Sequence, residues 1–199
     1  MPALAPPVGT ERAALREFLA HHQSAFFAVS YGLTDEQARS TPSVSSLSIG
    51  GLIKHATDVQ TGWMQRVVSA PDVPPKDERP IEERAAEYQD QYQMREDETL
   101  AQLLDALKAQ NADTLRIFDE ADLDTPLPVP RDAPWFPPDI DYWSVRWVAF
   151  HLLNELARHA GHADIIRESI DGATMYDLIA GLEGWPETDW IKPWKPARV

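Results

Sequence analysis

Between Trp147 and Glu168 the chain reads WVAFHLLNELARHAGHADIIRE, which sets His151, Glu155, His159 and His162 at steps of four, four and three residues. At about 100° per residue in an α-helix, these four side chains fall within an arc of roughly 80°. Val148, Leu152 and Ile166 flank the arc, so the polar stripe is expected to face an interior rather than water. A helix serving only to pack would carry Leu and Ala at those positions. The fold must therefore supply a setting in which inward imidazole and carboxylate groups are useful.

Three other stretches carry a helical period. Thr10 is an expected N-cap for a first helix running to about Ser30, with Leu15, Phe18, Leu19, His22, Phe26 and Val29 on one face. A second starts near Ser46 to Ser48 and runs to about Ala70, its stripe made by Ile49, Leu52, Ile53, Ala56, Val59, Trp63 and Val67, with His55 at the edge. A third spans about Asp97 to Ala121, where Asn111 interrupts a leucine-rich face. Ser144 is expected to cap the fourth, which ends near Asp171-Gly172. Shorter helices are expected after Thr34, over 81–93 and over 174–180. Four prolines in 71–80 mark a linker, and six in 122–142, together with Trp135 and Phe136, mark an ordered loop. The tail GWPETDWIKPWKP is expected to pack across the bundle surface. No length of chain alternates with a period of two, so no sheet is expected. The reading is an all-α four-helix bundle, one domain over residues 1–199, with short extra helices and a Pro/Trp-rich tail.

Charge and composition exclude several function classes. A net charge of −14 is the wrong sign for nucleic acid or an anionic membrane surface, and no run reaches the ~18 apolar residues of a membrane helix. The absence of cysteine removes thiolate ligands and a cysteine nucleophile. MPALAPPVGT has neither the basic start nor the apolar core of a signal peptide, so a cytoplasmic location is expected. A small molecule or another subunit is the expected partner, and the abundance of Trp permits a homodimer.

Within a bundle, metal sites are built from inward side chains on facing helices. Glu155 and His159 can chelate one ion from a single helix, and His55 on the second helix can complete the set. Two imidazoles and a carboxylate suit Zn²⁺, Ni²⁺ or Fe²⁺ and leave positions open for substrate. The plainer alternatives are core histidines satisfied by hydrogen bonds and a local Glu–His ion pair. His151 lies one turn before the pair. His162 is a candidate fourth ligand or base, and Asp58 a candidate partner for His55. His21 is expected to be solvated and His22 to belong to the core. Gly50-Gly51 lacks the residues that would complete a phosphate loop.

The segments SLSIGGLIKHATDVQTGWMQRV and HLLNELARHAGHADIIRESIDG resemble the DinB-like superfamily, with Leu-x-Lys-His and His-Ala-Gly-His-Ala-Asp as the specific motifs. Within it the chain is most similar to an actinobacterial branch related to mycothiol-dependent maleylpyruvate isomerase and the bacillithiol and mycothiol S-transferases. The resemblance implies a divalent metal, Zn²⁺ first and Ni²⁺ or Fe²⁺ as alternatives, on His55, Glu155 and His159. Many relatives carry His where this chain has Glu155, and the isomerase branch is expected to carry Glu. His162 falls where relatives often carry Gln. The implied activity is a transferase or isomerase using a low-molecular-weight thiol such as mycothiol on a small electrophile, with His162 or Asp58 moving a proton. An anionic diacid would need Arg146, Arg158 or Arg167 in the pocket. Competing readings are a hydrolase using an activated water, a non-haem iron site, and a metal-holding stress-response module without turnover.

Overall fold

The computed structural model describes residues 3–75, 77–131 and 135–196. The extreme ends of the expected arm and tail, residue 76 of the linker and residues 132–134 of the proline loop lie outside the described residues. Four long helices form the body: α1 (Glu11–Val29), α3 (Ile49–Ser69), α5 (Leu100–Glu120) and α6 (Val145–Asp171). Shorter elements are α2 (Asp35–Arg39), α4 (Ile81–Asp90) and α7 (Met175–Glu183). Around the bundle, α3 packs on α5 and α6, and α1 closes the ring against α6 and α5.

Each long helix starts on a hydroxyl cap, because the first N–H groups have no partner within the helix. Thr10 accepts from Ala13 N, Ser48 from Gly51 N, Thr99 from Gln102 N and Ser144 from Trp147 N. The third long helix thus starts three residues after the expected Asp97, where Thr99 and Gln102 form a reciprocal capping box. Gly172 ends α6 at φ +76°, a conformation open to glycine at little cost.

Leu19, Phe26, Leu52, Ile53, Leu107, Leu152 and Leu156 are buried in one continuous core. At ~1.5–3 kcal/mol for each large side chain removed from water, this apolar seam holds the helices together. A polar layer crosses it. Gln60 donates to Asn111 Oδ1 at 2.9 Å and to the Ala56 carbonyl at 2.8 Å, while Gln23 donates to Gln60 Oε1 at 2.7 Å. Asn111, which interrupts the apolar face in sequence, is a buried link between α5 and α3.

Two expectations are corrected. A minimal antiparallel sheet exists: β1 (Pro126–Pro128) pairs with β2 (Tyr142–Ser144), with Leu127 opposite Trp143. Three residues are too few to show alternation, and two prolines leave Leu127 as the one N–H donor in β1. His22 is only partly buried rather than part of the core, and His21 is partly buried against it with ring centroids 5.5 Å apart. The tail does pack on the bundle: Trp194 lies 4.6 Å from the Arg167 guanidinium and edge-on to Tyr31.

Candidate functional site

The site forms where α3 and α6 face each other beneath the end of α4. Gly50 and Gly51, discarded as a phosphate loop, explain how this approach is possible. A Cβ on Gly51 would collide with the Tyr92 carbonyl, and one on Gly50 with Met94. The glycine pair therefore lets the segment after α4 lie directly on the first turn of α3. Lys54 then pins that segment, with Nζ 2.8 Å from both Asp90 Oδ2 and Glu98 Oε1. Gln91 and Tyr92 are thereby delivered onto His55.

His55 is 6% exposed. Its ring stacks on Tyr92 at 4.4 Å, and Nδ1 lies 3.0 Å from Gln91 Oε1. The Gln91 amide nitrogen donates to the Tyr88 carbonyl at 3.0 Å, which orients the amide so that its oxygen accepts from Nδ1–H. The tautomer that satisfies this bond leaves Nε2 with a lone pair. From α6, Glu155 Oε2 lies 3.2 Å from His159 Nε2, and Glu155 Oε1 lies 3.9 Å from His151 Nε2. Ligand atoms of His55, Glu155 and His159 all lie within 4.8 Å of one another. Burial lowers the pKa of His55 and His151 despite favourable neighbours, and the hydrogen bond from His159 chiefly holds Glu155 below the ordinary carboxylate range. Neutral imidazole and ionised carboxylate are the forms that ligate a divalent cation. The donor set therefore fits such an ion.

A cavity of about 1000 Å³ opens from these residues. One wall is an aromatic ladder: Trp143 stacks on Trp147 at 3.8 Å, and Trp147 stacks on His151 at 4.9 Å. Trp63 from α3 meets His151 edge-on at 4.8 Å. Phe136 and Trp135 from the proline loop, with Tyr88 from α4, line the same space.

Of the residues singled out in the sequence, His55, Glu155 and His159 converge, and His151 and Asp58 line the same cavity. His162 shares their angular stripe but sits farther along α6, where Nε2 is 2.9 Å from Ser45 Oγ, and it is not among the lining residues. The three arginines that an anionic diacid would have needed in the pocket are not among its lining residues. Arg146 pairs with Glu11 and Asp124, Arg158 is exposed, and the fully buried Arg167 binds Asp171 and the carbonyls of Val29 and Tyr31. Arg66 and Arg84 line the cavity instead. Gln91, Tyr92 and Arg84 carry no site signal in the sequence, because the stretch 81–93 is strongly polar and has no apolar stripe to mark an inward face. Tyr88 and Tyr92, one turn apart there, come nearest to one.

Fold and site together define a class: a DinB-like helical bundle with a two-histidine, one-carboxylate cluster at the base of an aromatic cavity. The family model for mycothiol S-transferase matches residues 14–172, and the chain belongs to that family. The chain is also similar to a solved structure, a conserved protein from Enterococcus faecalis. That likeness has 17% identity and a TM-score of 0.54, over 83% of this chain and 100% of that one. At such identity the likeness concerns the fold alone. No curated protein matches the chain.

Proposed function

We propose that this protein is a metal-dependent S-transferase that joins mycothiol, or a closely related low-molecular-weight thiol, to a small electrophile. The observation carrying the proposal is the convergence of His55, Glu155 and His159 at one end of an aromatic cavity in a chain of this family. Those three residues would hold the ion. Zn²⁺ suits the donor set first, and Ni²⁺ or Fe²⁺ would also fit. Bound there, the cation would supply Lewis acidity that favours the thiolate of a ligating thiol at neutral pH.

The chain's own groups do the rest. Gln91 holds the His55 ring so that Nε2 faces the cluster. His151 Nε2, beside Glu155, takes the thiol proton, a role that the position of His162 against Ser45 leaves open. Trp63, Trp143 and Trp147 hold the electrophile and keep water from it. The sulfur forms a bond to carbon as the electrophile's leaving group departs with its electron pair, and Asp58 faces the same cavity from α3.

The test follows loss of 1-chloro-2,4-dinitrobenzene with mycothiol as the thiol, using metal-loaded protein, chelated protein and His159→Ala. Thiol-dependent conversion that disappears in the last two is the expected result. Conversion undiminished by both changes, or a protein that binds no divalent cation, would sink the metal-dependent reading. Thiol-independent ester cleavage would favour a hydrolase.

A further inference from the structure

The cavity contains a feature that thiol chemistry does not use. Arg84, half-buried on α4, lines the cavity and has a buried Nε with no hydrogen-bond partner, while its charge acts at longer range on Asp77. A buried guanidinium N–H without an acceptor is rare, because the lost hydration is not replaced. Arg66 on α3 lines the same cavity.

Position adds the second constraint. Gln91 touches His55, and Arg84 lies seven residues earlier, about 10 Å along the axis of α4. The cationic group and the ligand cluster are thus set apart along the cavity. The same cavity is lined by an aromatic cluster, in which Trp63 packs tilted or edge-on at 5.7 Å from Trp147, 5.9 Å from Trp143 and 6.5 Å from Phe136 between centroids. Such walls select flat rings by area and stacking.

We infer that the electrophile taken by this site is a planar aromatic molecule bearing a carboxylate at the end remote from the thiol, with Arg84 as the carboxylate's partner. The inference deepens the proposed function and rests on it for the word electrophile. Binding of an aromatic anion rests on the cavity alone. The guanidinium offers a carboxylate directed, charge-assisted donors, whereas an amide or an unsubstituted ring brings no charge to it and leaves the Nε–H with a weaker acceptor or none. With the chain at a net charge of −14, general attraction of anions is absent, so this preference has to be local.

The experiment compares naphthalene-2-carboxylate with naphthalene-2-carboxamide, read by calorimetry and by quenching of tryptophan fluorescence. Chelated protein is used so that the carboxylate cannot report on a bound metal. The wild-type chain is expected to prefer the carboxylate by about ten-fold. Arg84→Met is expected to bring the two affinities within about two-fold, and Arg84→Lys to keep part of the preference. Equal wild-type affinities, or a preference unchanged in Arg84→Met, would overturn the inference. If Arg84→Met does not fold, the wild-type comparison with Arg84→Lys decides. A retained preference with no thiol-dependent turnover would refute the proposed function and leave this inference standing. Turnover without the preference would do the reverse.

Discussion

Gln91 Oε1 accepts a hydrogen bond from His55 Nδ1 at 3.0 Å, joining the end of α4 to a buried imidazole on α3 across 36 residues of sequence. Partners of this kind orient metal-ligating histidines, and losing them commonly costs ten- to a hundred-fold in metal affinity. Gln91→Leu is therefore expected to weaken Zn²⁺ binding by about that factor while leaving the thermal midpoint within a few degrees. Titration with a competing chelator measures this. An unchanged affinity would mean that the bond does not orient the ring.

Gly51 acts one step further back. Because a Cβ there would strike the Tyr92 backbone, Gly51→Ala is expected to push the segment after α4 away from α3 and loosen both Gln91 and the Tyr92 stack. Weaker Zn²⁺ binding, together with faster amide exchange over 90–94, is the expected signature. Normal exchange there would show that the segment accommodates a methyl group.

The Gln23–Gln60–Asn111 layer carries stability rather than chemistry. Gln60 is fully buried, so Gln60→Ala leaves a cavity and strands acceptor and donor groups on two neighbouring helices. A loss of about 3 kcal/mol in urea unfolding is expected. A loss below about 1 kcal/mol would mean that water replaces the amide.

Asp164 gives the fold a pH dependence. Burial, with a smaller contribution from Glu168, raises its pKa from 3.8 to about 6. Between those values the native state keeps a proton that the unfolded chain has released, so this group's contribution makes stability fall as pH rises, levelling off above about 6. Asp164→Asn removes the penalty. Discounted for its partial exposure, the gain is about 1–2 kcal/mol at pH 7.5 and vanishes below pH 4. Thermal unfolding at the two pH values tests this, and an equal gain at both would assign it to packing instead.

The four long helices were legible because their information is local. Thr10, Ser48 and Ser144 cap within three residues, and a 3.6-residue apolar period follows each of them. His151, Glu155 and His159 were legible for the same reason, since steps of four on one helix place side chains on one face wherever that helix packs. His55, at the edge of the second helix's stripe, was a candidate third ligand from the sequence, and the likeness to DinB-like proteins implied the same residue.

Tertiary structure alone decided the remainder. His162 and His159 both fall within the same arc of roughly 80°, but their separation along α6 and the packed neighbours send one to Ser45 and the other to the ligand cluster. Arg167 and Arg84 are both arginines on helices, yet one is buried against the carbonyls of Val29 and Tyr31 and the other lines the cavity. Gln91 has no periodic signal, because its role depends on a crossing that Gly50 and Gly51 permit 40 residues earlier. Local sequence thus determined which side chains share a helix face, since rotation per residue is a property of the backbone. Which of those faces meet, and at what height, depended on packing between distant segments, which no single stretch of the chain encodes.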